Sequence, residues 1–299
     1  METITDFKDL TSRFCALERA CRVVVVCPDD EPTVECMLTA LSRSKVQFIV
    51  VTKGNPLPSA LTAGERLRVE ECADTDSAAA RAVALVRDGE ADVLMKGDIN
   101  TDNLLRAVLD KERGLLVAGG VLTHITLAEA PAYSKLLVFS DAAVIPRPNL
   151  EQLRAMARYD IEVCRRLGVA SPHVALIHFT EKTNPKFPHT MDYMTMIDEA
   201  KAGAFGPDVV MGGPMDVKTA CDPHSGAIKG INSPVCGKAD VLIFPNLEAA
   251  NTFYKTLSLF GGAKMAAMIG GTTAPVVVPS RADSAESKFL SLALACLNL

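Results

Sequence analysis

The sequence predicts a doubly wound α/β protein, on three observations. Short, nearly all-apolar runs recur along the chain, amphipathic segments of helical period lie between most of them, and the alternation persists almost from end to end. Strands covered by helices on both faces lose the polar alternation of an exposed sheet. A strand–helix–strand order in turn implies right-handed crossovers and a parallel sheet.

Taken in order, the runs expected as strands are 22–27, 47–51, 92–95, 136–139, 173–178, 208–211, 240–244, 265–269 and 276–278. Helical periodicity marks 77–86, 102–110, 150–167, 191–200, 248–259 and 283–297, the last repeating apolar residues at Phe289, Leu290, Ala293 and Leu294. Ile145-Pro-Arg-Pro-Asn149 places two prolines ahead of a long helix, so a second domain is expected to begin near Pro148. No linker marks its end, and the chain after about Lys264 turns apolar again.

Composition narrows the function classes. The 299 residues allow two modest domains or one large body. A net charge of -5 offers no basic stripe for nucleic acid, and the absence of tryptophan removes the best base-stacking side chain. Nine cysteines occur singly, without a CxxC, and an odd number does not make a complete disulfide framework. Cys27, after a run of valines, reads as a small core hydrophobe. The first residues carry acids and no apolar signal core, and no apolar run approaches the roughly 20 residues of a membrane span. A cytoplasmic protein without membrane or nucleic-acid partners is expected.

In open α/β sheets ligands bind beyond the carboxyl ends of the strands, so the strand-to-helix junctions carry the search. At Val278-Pro-Ser-Arg-Ala-Asp283 an apolar strand gives way to Ser280 and Arg281 just before a helix expected to start near Asp283. A helix N-terminus attracts anions, and arginine adds a planar fork suited to phosphate. Ser280, Asp283 and Ser284 are equally good cap residues, and Asp283 with Glu286 has capping-box spacing, so cap and anion site both fit. At Met95-Lys-Gly-Asp98, Gly97 permits close backbone approach and Lys96 supplies a point charge, with Asn100 or Thr101 as the next helix cap. Gly270-Gly271 follows another apolar run and fits either a turn or an anion-binding backbone. Thr123, His124 and Asp141 lie in two further polar junctions, with no histidine spacing that suits zinc.

Read together, these junctions resemble the phosphate acyltransferases (phosphotransacylases), and are more similar to the phosphate butyryltransferase branch than to the acetyl branch. The matching text includes Ala91-Asp-Val-Leu-Met-Lys-Gly97, Leu122-Thr-His124, Ser140-Asp-Ala-Ala143, Lys182-Thr-Asn-Pro-Lys186, Ala239-Asp-Val-Leu-Ile-Phe-Pro245 and Pro275-Val-Val-Val-Pro-Ser-Arg-Ala-Asp-Ser284. The resemblance implies two α/β domains of isocitrate and isopropylmalate dehydrogenase type with a cleft between them. Domain I would span 1–146, completed by 265–299, with domain II (147–264) inserted.

It further implies acyl transfer between coenzyme A and inorganic phosphate in a ternary complex. Acyl-CoA and phosphate would be substrates, with no bound cofactor or metal, and the protein would be a homodimer. Acetyl transfer, or a non-catalytic sensing domain of the same fold, are the alternatives. The implied catalytic residues are Ser280, Arg281 and Asp283, and the implied substrate-binding residues are Lys96, Gly97, Thr123, His124, Asp141, Gly270 and Gly271. One departure stands out: an aspartate that serves the acetyl branch as candidate base is Ser287 here. Asp283, one turn earlier, is therefore expected to orient Arg281 or to replace that base.

Overall fold

The computed structural model describes residues 2–299. Its strands are β1 (Arg22–Val26), β2 (Gln47–Thr52), β3 (Leu67–Glu71), β4 (Val93–Lys96), β5 (Thr123–Glu129), β6 (Leu137–Ser140), β7 (His173–Ile177), β8 (Val210–Met215), β9 (Val241–Ile243), β10 (Lys264–Gly270) and β11 (Val276–Val277). Its helices are α1 (Phe7–Cys15), α2 (Glu31–Arg43), α3 (Thr75–Arg87), α4 (Thr101–Val108), α5 (Leu150–Arg166), α6 (His189–Lys201), α7 (Val217–Cys221), α8 (Pro223–Ile228), α9 (Leu247–Leu259) and α10 (Ala285–Leu297). The chain divides into two compact units. A terminal unit joins Phe7–Leu122 to Ala266–Leu299, and an inserted unit comprises Thr123–Met265 with the N-terminal residues up to Asp6.

In the terminal unit the strand order is β3-β2-β1-β4-β11-β10. The first five are parallel, and β10 is antiparallel to β11. Val23 to Val26 and Val93 to Met95 are fully buried, as strands covered on both faces must be. Helix α3 packs on β1, β2 and β4 with α4 beside it, while α10 packs on β4 and β11 with α1 and α2 beside it. Because β1, β4 and β11 are parallel neighbours, the segments that follow them emerge side by side at one end of the sheet. That adjacency positions the candidate site.

The inserted unit holds β5-β6-β9-β7-β8, with β5 antiparallel to β6 and the rest parallel. Phe139 on β6 meets Phe244 and Phe253 edge-on, with ring centroids 6.1 and 5.2 Å apart. Asn149 and Gln152 cap α5 reciprocally, the polar reason that this helix begins after the proline pair. Among the described residues no helix is long and apolar enough to cross a membrane.

The chain crosses between units at Leu122–Thr123, ahead of the 146/147 boundary expected from the prolines. The reason is pairing: β5 bonds to β6, and β6 runs parallel to β9, so 123–146 lie with the inserted sheet. The return falls at Met265–Ala266, and the residues up to Asp6 join the inserted unit through Ile4 N–H to Leu167 O at 2.8 Å. The sequence reading did not anticipate β3, β5, α1, α2, α7 or α8. β3 is mostly charged on its open face, and β5 mixes Thr123, His124 and Thr126 into an otherwise apolar run.

Asp160 on α5 is fully buried, and only one of its carboxyl oxygens has a partner, the Ser140 hydroxyl at 2.7 Å. Burial drives its pKa well above the ordinary carboxylate value; Ser140 opposes the shift and Asp141 adds to it. Below the unfolded-state pKa, near 4, both states hold the proton and nothing is lost. Above it the unfolded chain ionises while the folded one does not, so stability falls by about 1.4 kcal/mol per pH unit until the folded pKa is reached. Asp160→Asn is therefore expected to match wild type near pH 4 and to exceed it at pH 7 in urea denaturation. An equal offset at both pH values would contradict this.

Candidate functional site

Three adjacent strand ends build the site in the terminal unit. After β1 the chain turns at Cys27, which adopts φ 51 and is buried. Its carbonyl accepts from Asp98 N–H at 2.6 Å, and the carbonyl of Val26 accepts from Gly97 N–H at 2.9 Å. A Cβ on Gly97 would lie 2.3 Å from the carbonyl oxygen of Cys27. The crowding that requires glycine here comes from the protein's own β1 end. The sequence alone had suggested approach of a ligand.

Lys96 closes β4 and is buried, with 3% exposure. Its Nζ donates to the carbonyls of Gly97 at 3.2 Å and Pro279 at 3.5 Å, tying the end of β4 to the residue before Ser280. Burial lowers the Lys96 pKa, and the charges of Lys288 and Arg281 lower it further.

The segment after β11 forms a turn. Ser280 N–H donates to Asp283 Oδ2 at 2.8 Å, Asp283 N–H donates to Ser280 O at 3.1 Å, and Ala282 N–H donates to Ser280 Oγ at 3.3 Å. Helix α10 starts two residues later than expected: Ser284 is its N-cap, accepting from Ser287 N–H at 3.2 Å. Asp283 thus shapes the turn around Ser280 rather than pairing with Arg281. The Arg281 guanidinium reaches across to the β4–α4 link, donating to Asn100 Oδ1 at 3.0 Å and lying 3.5 Å from Asp98 Oδ1. Asn100 is the N-cap residue of α4, yet its side chain makes no capping bond and serves Arg281 instead.

A second tie anchors α10. Lys288 is 2% exposed, and its Nζ donates to Asp30 Oδ1 at 2.7 Å and Thr33 Oγ1 at 2.9 Å. Asp30 is also the N-cap of α2. Burial alone would raise the Asp30 carboxyl, but hydrogen bonds from Lys288 and Thr33 outweigh it and hold the pKa below the ordinary value.

The expected site residues fall into groups. Lys96, Gly97, Ser280, Arg281 and Asp283 come together at these strand ends. Gly270 ends β10, and Gly271 follows with φ 87, where a Cβ would lie 2.1 Å from the carbonyl oxygen of Val121. Gly271 is thus a close-packing position against the 115–122 segment. Thr123, His124 and Asp141 belong to the inserted unit. There the Asp141 carboxylate is buried and accepts from four donors: Thr123 Oγ1, His124 N–H, Ala143 N–H and Val144 N–H, at 2.7 to 2.9 Å. Such saturation makes Asp141 a joint of the backbone.

Sequence reasoning missed Asp30, Asp98 and Lys288 and read Asn100 only as a cap. A signal existed for two of them, since Asp98 directly follows Lys-Gly and Asp30 precedes a proline in a first helical turn. Among the described residues no group of three or more His, Cys, Asp or Glu side chains is placed to hold a metal ion.

Residues 67–296 match the family model described as phosphate acetyl/butaryl transferase. The chain is 35% identical over 280 residues to the phosphate butyryltransferase of Clostridium acetobutylicum, covering 92% of both sequences. It is 38% identical over 216 residues to the phosphate acetyltransferase of Thermotoga maritima, covering 72% of this chain and 73% of that one. Among solved structures, a branched-chain phosphotransacylase from Enterococcus faecalis V583 superposes with a TM-score of 0.84 at 31% identity, over 93% of this chain and 98% of the other. A phosphotransacetylase from Streptococcus pyogenes shares the fold, with a TM-score of 0.82 at 20% identity over 98% of each.

The Lys288–Asp30 tie yields a stability test. Lys288→Met leaves Asp30 without its cation and should cost about 2–3 kcal/mol in denaturant unfolding, less than a fully buried pair because Asp30 still touches solvent. Adding Asp30→Ser, which keeps a cap and removes the charge, should recover part of that loss. A double variant no more stable than Lys288→Met would contradict the ion-pair account.

Proposed function

The chain belongs to the phosphate acetyl/butaryl transferase family, and from that premise we propose that it transfers a short acyl group, butyryl or similar, between coenzyme A and inorganic phosphate. The observation that carries the reading is the Ser280-Arg281 turn, with its guanidinium steadied by Asn100 and Asp98 at the carboxyl end of a parallel sheet. Acyl-CoA and phosphate react through a tetrahedral oxyanion, which calls for fixed donors, and one of the two anions must be held in line for attack. Arg281 clamps phosphate, and the Ser280 hydroxyl donates a hydrogen bond to the oxyanion. Asp283 holds the turn that presents Ser280. Lys96 adds positive potential beneath that turn. Gly97, Gly270 and Gly271 are read as substrate-binding on the family resemblance alone, since Gly97 is crowded by the end of β1 and Gly270-Gly271 lie at the end of a strand antiparallel to β11. Thr123, His124 and Asp141, in the inserted unit, are read as substrate-binding on the family resemblance alone, with the saturated Asp141 carboxylate acting by holding Thr123 and the His124 backbone in place.

The names of the relatives support a four-carbon or branched chain, and that of the Thermotoga maritima relative supports acetyl transfer as the alternative. The two units are read as the isocitrate dehydrogenase type of α/β fold. A cytoplasmic homodimer working without a resident cofactor or metal rests on the resemblance alone.

Phosphate-dependent release of free CoA thiol from acetyl-, propionyl-, butyryl- and isobutyryl-CoA tests the reading. Release is expected, with the highest kcat/KM among the four-carbon thioesters. No release from any of them would leave a sensing domain as the better account. Arg281→Ala should lower kcat/KM by about 10²–10³ and raise the KM for phosphate. Wild-type kinetics in that variant would remove Arg281 from the phosphate site.

A further inference from the structure

We propose that Asp98 is the catalytic base that takes the thiol proton when free coenzyme A attacks an acyl phosphate, an assignment that rests on the phosphotransacylase reading above. A thiol with a pKa of about 8.5 is mostly protonated at neutral pH, and the thiolate is the nucleophile. A group beside the phosphate clamp must therefore accept that proton.

The geometry narrows the choice. Ser287 offers only a hydroxyl, which is no base, and its N–H is spent on capping α10. Asp283 uses Oδ2 to hold Ser280 N–H at 2.8 Å, so protonating it would loosen the turn that presents Ser280. Asp98 differs on both counts. Its backbone is fixed by the 2.6 Å bond to the carbonyl of Cys27, while its side chain is 40% exposed. Its carboxylate contacts Arg281 Nε at 3.5 Å and accepts no hydrogen bond from any other group among the described residues. It is thus rigidly mounted, open to solvent and beside the guanidinium that binds phosphate.

The charged groups facing Asp98 are Arg281, Lys96 and Lys53, whose Nζ reaches the Asp98 carbonyl at 3.2 Å. Asp29 lies beyond, paired with Lys53 at 3.4 Å. The buried thiol of Cys27, pushed up to about 11 mainly by burial, stays protonated.

The step balances as follows. The S–H bond of coenzyme A breaks and its proton passes to a carboxylate oxygen of Asp98. The sulfur electron pair forms an S–C bond to the acyl carbon, whose carbonyl oxygen becomes an oxyanion facing Ser280. Collapse of that intermediate breaks the bond between the acyl carbon and the bridging oxygen, and phosphate departs on Arg281 as hydrogen phosphate, taking up the proton that Asp98 releases through solvent. In the opposite direction the Asp98 carboxylic acid protonates the departing thiolate, as microscopic reversibility requires.

The test compares wild type, Asp98→Asn and Asp98→Glu in CoA acylation by butyryl phosphate, with kcat, KM and the pH profile measured for each. For Asp98→Asn, kcat is expected to fall by about 10²–10³, with the KM for butyryl phosphate within about threefold of wild type. The residual rate should climb about tenfold per pH unit from pH 6 to 8, as the thiolate fraction does below the thiol pKa. Asp98→Glu should recover part of the rate and flatten that climb. An Asp98→Asn variant with wild-type kcat overturns the proposal. So does one in which only the KM for the phosphate-bearing substrate rises while the pH profile keeps its shape, because that is the mark of a residue that merely steadies Arg281. Wild-type protein without turnover overturns the functional reading and this proposal with it.

Discussion

Burying an amine is costly unless oxygens replace its lost water, and Lys96 meets that condition with two backbone carbonyls, those of Gly97 and Pro279. One carbonyl belongs to its own strand end and the other to a segment more than 180 residues away in sequence. The turn that carries Ser280 and Arg281 is thereby hung from the end of β4. Everything else at the site follows from that attachment. The Asp283 carboxylate closes the turn on itself, Arg281 reaches back to Asp98 and Asn100, and Lys288 fixes the following helix to the cap of α2.

Lys96, Arg281 and Lys288 gather with the carboxylates of Asp30, Asp98 and Asp283 at one end of the terminal sheet. Burial lowers the Lys96 pKa, and the charges of Lys288 and Arg281 lower it further. Asp30 already answers Lys288 through a direct bond. Asp98 answers Arg281 only loosely, at 3.5 Å and with much of its side chain in solvent. On the proposed reading, an incoming phosphate takes up the guanidinium without first breaking a tight, desolvated ion pair, which would be costly to leave unpaired.

Much of the framework was legible in the sequence, because strands buried on both faces announce themselves as apolar runs and all nine expected runs coincide with strands. β3 and β5 were hidden for the same reason in reverse: Arg68, Glu70 and Glu71 face outward at a sheet edge, while Thr123 and Thr126 are buried polar side chains. The turn at Ser280-Arg281 was legible as either a helix cap or an anion site, since a strand end followed by serine, arginine and a helix cap is a local pattern. Its supports were not. Asp98 and Asn100 meet Arg281 only because β4 and β11 are neighbours in the sheet, and no local spacing encodes that pairing. The domain boundary misled for a related reason, as a proline pair marks where a helix starts, whereas strand pairing decides to which unit a segment belongs.

The central claim is that Arg281, presented by this hung turn, is where phosphate binds. Isothermal titration of inorganic phosphate into the wild-type protein and into Arg281→Gln tests it most directly, without reference to turnover. The account predicts saturable binding to wild type and an affinity lowered by about tenfold or more in the variant, in keeping with the loss of a charge-assisted bidentate contact. Equal affinity in the two proteins would contradict it.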